Sequence, residues 1–104
     1  MNMGARIAFD SECTQDEWEK IVPLTAVPDL HGEYRVVTRN EPLNLRREPN
    51  TESRVIVEMP KDSTFMSYGF TDESGEWLLG EYALQGKIYA GYANKQYLKR
   101  KGND

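Results

Sequence analysis

From Tyr34 onward, short runs of β-branched and aromatic residues alternate with clusters of turn-forming residues. The runs are Tyr34–Thr38, Leu43–Arg46, Val55–Met59, Thr64–Tyr68, Trp77–Tyr82 and Ile88–Tyr92. Between them stand Asn40–Pro42, Pro49–Thr51, Pro60–Asp62, Asp72–Gly75 and Gln85-Gly86. Turn signals at this spacing predict an all-β body of five to six strands over residues 33–100, a sandwich or a small barrel. Period-two alternation puts Leu43 and Leu45 on the inner face and Asn44 and Arg46 on the outer one. In Val55–Met59 the apolar run is continuous, so either Val55, Val57 and Met59 or the offset Ile56 can face inward. Gly91, between Ala90 and Tyr92, predicts a kink or a close approach of two backbones.

Residues 1–32 read differently, as an extension with a short helix. Thr14-Gln15-Asp16-Glu17 fits a capping box, in which the Thr14 hydroxyl and the Glu17 carboxylate each accept from the other's amide. Trp18, Ile21 and Val22 share one helical face, and Pro23 ends the helix after one to two turns. Pro28, His31 and Gly32 mark a loop before the body, and residues 101–104 a tail. A helix this short needs a surface to pack on, whether the body or a partner.

Charge and composition narrow the function classes. The 104-residue chain has a net charge of -4, and residues 1–32 carry all of that excess. The body is balanced, without the basic stripe that nucleic-acid binding requires. No run is long and apolar enough for a membrane span, and no apolar leader opens the chain. One cysteine, Cys13, excludes an internal disulfide, and one histidine, His31, excludes a site built on two imidazoles. Acidic neighbours surround Cys13, which disfavours a reactive thiolate. Asp72-Glu73-Ser74-Gly75-Glu76 lacks the calcium-loop spacing and reads as a polar hairpin turn. No catalytic residues, metal or cofactor are expected, and the acidic composition with its lone cysteine points to the cytoplasm.

The order of the pieces resembles the bacterial SH3-like (SH3b) family. Leu43-Asn44-Leu45-Arg46 followed by Pro49 is similar to the family's Leu-Asn-Val-Arg and its proline-containing loop. Arg54–Met59, with a turn at Pro60–Asp62, matches its second strand and diverging turn. Gly75-Glu76-Trp77 matches the hairpin before its tryptophan, while Gln85-Gly86-Lys87, Gly91-Tyr92-Ala93 and Tyr97-Leu98 resemble its terminal signature. Asp62 stands where the family usually has glycine, Arg47-Glu48 replaces small residues, and Ile88-Tyr89-Ala90 lengthens the last hairpin. The resemblance implies a small SH3-like β-barrel.

A barrel of this size cannot enclose Tyr34, Tyr68, Phe70, Trp77, Tyr82, Tyr89, Tyr92 and Tyr97 together with Phe65. Some rings are therefore expected at the surface, where a flat apolar face with a polar tip suits peptide recognition. The expected function is a non-enzymatic binding module for a protein or peptide partner. Its groove would involve Asn44, Arg46, Tyr68, Tyr89 and Tyr92, between the first loop and the last hairpin. Two alternatives stay open: recognition of peptidoglycan peptides, as in cell-wall-targeting relatives, and a small inhibitor or immunity-type protein. The lysines and arginines at 95–101 read as a solvated basic end.

Overall fold

Every strand pairing among the described residues is antiparallel. The computed structural model describes residues 23–101. Cys13, the capping-box segment and the Trp18–Val22 helix lie outside the described residues. The strands are β1 (Thr25–Ala26), β2 (Gly32–Val36), β3 (Leu43–Arg46), β4 (Val55–Met59), β5 (Thr64–Thr71), β6 (Trp77–Leu84), β7 (Lys87–Asn94) and β8 (Leu98–Arg100). Pro28–Leu30 and Lys95–Tyr97 are single 3₁₀ turns. The hydrogen-bonded path runs β4-β3-β7-β6-β5-β2-β8, with β1 beside β5, and it does not close into a ring. The described residues therefore give an open, strongly bent sheet of eight strands where five to six strands in a barrel were expected.

The expected arm contributes to this sheet. Thr25 and Ala26 pair with Thr71 and Phe70, and β2 begins at Gly32. At the other end, Leu98–Arg100 pair with β2 as β8. Arg100 is exposed, yet its guanidinium is tied to the fold: it donates to the carbonyls of Asp29 (2.6 Å) and His31 (2.7 Å) and lies 5.5 Å from the Tyr34 ring centroid.

The main core gathers Val36, Leu43, Leu45, Met59, Phe65, Leu78 and Ala93, with Tyr34 and Tyr82 closing its rim. A second apolar cluster forms on the reverse face of β6 and β7 from Trp77, Leu79, Ala90 and Tyr92. Side chains alternate between these clusters along β6, as a strand buried on both faces requires. The two clusters also resolve the register of β4. Val57 packs against the main core with Met59, Ile56 packs against the second cluster, and Val55 remains exposed.

Two turns place a non-glycine residue in the left-handed region. Gln85 and Gly86 both have positive φ (53° and 83°), the signature of a two-residue hairpin whose twist matches its strands. Asp62, at the position where the SH3-like family places glycine, has φ 73°. Aspartate tolerates this conformation better than most side chains, and Asp62 also accepts from Arg35 at 3.2 Å.

Candidate functional site

A cleft with a volume of about 240 Å³ lies where the outer face of β3 meets the start of β6 and the end of β7. Asn44 and Arg46 line it because alternation turns them away from the core that Leu43 and Leu45 enter. Trp77 and Asn94, cross-strand partners on β6 and β7, supply the opposite wall. Tyr97 completes the mouth and is the only exposed aromatic ring among the described residues.

Each wall is held by its own polar contacts. The Arg46 guanidinium donates to the Ser53 carbonyl at 2.8 Å, and the Ser53 hydroxyl accepts from the Glu48 amide at 2.8 Å. Arg46 thus braces the long β3–β4 loop and lines the cleft at once. The Asn94 carboxamide accepts from the Gln96 amide at 3.0 Å, capping the 3₁₀ turn that presents Tyr97. On the remaining side, buried Thr38 donates its hydroxyl to the Glu41 carbonyl, fixing the β2–β3 turn. Amides of Glu41 itself and of Asn40 donate to the Glu41 carboxylate and hold its pKa below the ordinary 4.5, with nearby Arg39 adding to the effect against a small opposing contribution from burial. The cleft therefore offers one guanidinium, one carboxylate at the rim, two carboxamides and two aromatic rings.

The five expected site residues separate into three groups. Asn44 and Arg46 come together in the cleft. Tyr92 is the Cα partner of Arg46 across the β3–β7 pairing, but its ring is fully buried in the second cluster. Tyr68 packs against that same cluster and donates to Glu81 at 2.8 Å. Tyr89 packs against the main core, with the Lys87 ammonium 5.9 Å from its ring centroid. No single groove joins the three tyrosines. Five of the nine body rings (Tyr34, Phe65, Trp77, Tyr82 and Tyr92) are buried, because the sheet holds apolar side chains on two faces where a barrel has one interior.

Reading the sequence alone missed Thr38, Glu41, Asn94 and Tyr97 as cleft residues. Tyr97 carried a signal, since it stands in the Tyr-Leu pair of the SH3-like resemblance. Thr38 and Glu41 carried none, because their place depends on a turn that only the fold closes.

Elsewhere, the polar hairpin at Asp72 is satisfied internally. Its carboxylate accepts from the Ser74 hydroxyl at 2.9 and 3.0 Å and from the Trp77 amide at 3.2 Å. Among the described residues, no three His, Cys, Asp or Glu side chains are grouped to hold a metal ion. No described helix is long and apolar enough to cross a membrane. No protein-family model matches the chain, and comparison with curated proteins and with solved structures gives no match.

Proposed function

We propose that the chain is a non-enzymatic recognition module that binds a peptide-like segment of a partner protein, built on a bacterial SH3-like fold whose curled sheet stays open. The observation that carries this reading is the cleft itself: Arg46 and Asn44 on one wall, Trp77 and Asn94 on the other, and exposed Tyr97 at the mouth. A cleft of about 240 Å³ suits one or two side chains of a bound segment rather than a whole small-molecule ligand. Rings and carboxamides on rigid strands provide contact area at little entropic cost, and the guanidinium favours a ligand carboxylate or carbonyl. Support for the SH3-like part comes from the quoted motifs: each predicted run from Leu43 to Tyr92 falls on a strand, and Tyr97-Leu98 falls on the turn leading into β8.

Amide chemical-shift mapping against protein-derived peptides and against cell-wall stem peptides tests the proposal. Shifts are expected to concentrate at Asn44, Arg46, Thr51, Asn94 and Tyr97, and Tyr97→Ala is expected to weaken binding about tenfold or more. Shifts confined to the far face, or undiminished binding by Tyr97→Ala, would overturn it. Preference for the stem peptides would assign the cleft to the cell wall instead.

A further inference from the structure

We infer that the recognition cleft receives the last residue of its bound segment, with the free C-terminal carboxylate held by Arg46, Asn94 and Trp77. This rests on the proposed reading of the cleft as a peptide site and names the chemistry the cleft takes. The three side chains share one face of the sheet. Arg46 is the Cα partner of Tyr92, Asn94 stands two residues further along β7, and Trp77 is the partner of Asn94 on β6. Directly opposed residues, and residues two apart on one strand, point the same way.

Each of the three brings a donor that the fold leaves unused. Trp77 is only 8% exposed, yet its indole N–H has no acceptor among the described residues. A buried indole normally finds a partner for that group. The Asn94 oxygen is committed to the Gln96 amide, so its carboxamide nitrogen is the end left over. Arg46 gives one N–H to the Ser53 carbonyl and keeps others for a ligand. Glu41, the acid among the lining residues, accepts from amides of its own turn and forms no ion pair with Arg46. Donors grouped around one cation call for an acceptor that takes several bonds at once. A backbone carbonyl offers a single oxygen, and a cleft of about 240 Å³ is too short for a row of them. A carboxylate offers two oxygens and the opposite charge. At a chain end it also lets the last side chain lie against Tyr97 at the mouth, and only one stretch of ligand has to leave the cleft.

The test titrates the ¹⁵N-labelled full chain with N-acetyl-Gly-Leu and N-acetyl-Gly-Phe, each as the free acid and as the C-terminal amide. The acids are expected to shift the Trp77 indole and Asn94 carboxamide resonances and to bind about tenfold or more tightly than the amides. Asn94→Asp keeps the acceptor that caps the 3₁₀ turn but exchanges the donor for a negative charge. It is expected to weaken the acids about tenfold or more, leaving the amides and the melting temperature nearly unchanged. Equal binding of acids and amides, or equal weakening of both by Asn94→Asp, would overturn the inference. So would a cleft that responds to longer peptides with blocked ends and to neither acid, although its reading as a peptide site would then stand. If neither these probes nor longer peptides move the cleft resonances, both readings fail together.

Discussion

Gly80 and Gly91 face each other directly across the β6–β7 pairing, and neither position has room for a side chain. A Cβ on Gly80 would collide with the Met66 carbonyl oxygen and stand 2.6 Å from Phe65 Cζ. One on Gly91 would come within 2.7 Å of the Arg46 carbonyl oxygen and 3.0 Å of Leu45 Cγ. This paired gap lets the backbone of Met66 in β5 and of Arg46 in β3 approach the two central strands closely. Gly80→Ala is therefore expected to cost about 3 kcal/mol or more, as overpacking against backbone does. Gly91→Ala should cost somewhat less, about 2 kcal/mol, because Ile56 and Leu45 can shift. Urea denaturation of the two variants checks both the size and the order.

Arg100 joins the last strand to the carbonyls of Asp29 and His31 and covers the Tyr34 ring. Replacement by alanine is expected to lower stability by about 1–2 kcal/mol, because these are charge-assisted bonds on a partly solvated side chain. Lysine should not restore it, since an ammonium cannot reproduce the planar fork. Thermal melts of Arg100→Ala and Arg100→Lys that coincide, both below the parent, are the expected result.

Left-handed backbone at non-glycine positions leaves stability to be gained. Gln85→Asn places the favoured Asn-Gly pair in the β6–β7 turn and is expected to raise stability by about 0.5 kcal/mol. At Asp62, alanine is expected to cost about 1 kcal/mol through its strained φ, while glycine relieves that strain and loses only an exposed ion pair with Arg35. The ranking of melting temperatures at position 62 is then glycine at or above aspartate, and aspartate above alanine.

The rim of the cleft should respond to acid. The carboxyl of Glu41 has its pKa lowered in the folded chain by backbone amides. Its contribution to stability is thus complete above the unfolded-state pKa and disappears as pH falls through the lower, folded-state value. NMR titration of the Glu41 side chain should give a midpoint below 4.5, and Glu41→Gln should remove this part of the acid sensitivity.

Tyr92→Ala, an obvious probe of an aromatic groove, should instead act on the fold. The ring is completely buried, and its truncation is expected to cost about 3–5 kcal/mol. Loss of binding in that variant would report unfolding, which circular dichroism detects directly.

The strands were legible because their signal is local. Leu43–Arg46 and Val55–Met59 coincide with the alternating and apolar runs that predict them, and Gly91 marks a close backbone approach, as its place inside a strand suggested. Strand ends were less legible: β5 continues to Thr71 because Phe70 and Thr71 pair with β6 and also with β1, a segment that carries no strand pattern of its own. The face of each ring was not legible at all. Tyr68 and Tyr89 look alike in sequence, yet they belong to different clusters, because a strand buried on both sides gives no polar positions from which to read an inside. The bonds of Arg100 were not legible for a different reason: the side chain is exposed, and only the fold brings the carbonyl oxygens of Asp29 and His31, at the 3₁₀ turn before β2, to its guanidinium.

An open sheet has two rims, and each invites the addition of a foreign strand. Here the rims are guarded by different means. The outermost strand on one side is three residues long and carries Lys99 and Arg100; the one on the other side has its ladder interrupted where Arg46 meets Val55. Replacing Lys99 and Arg100 with valines would convert the first guard into an adhesive edge, and the molecule would be expected to stack into fibrils at concentrations where the parent stays dispersed.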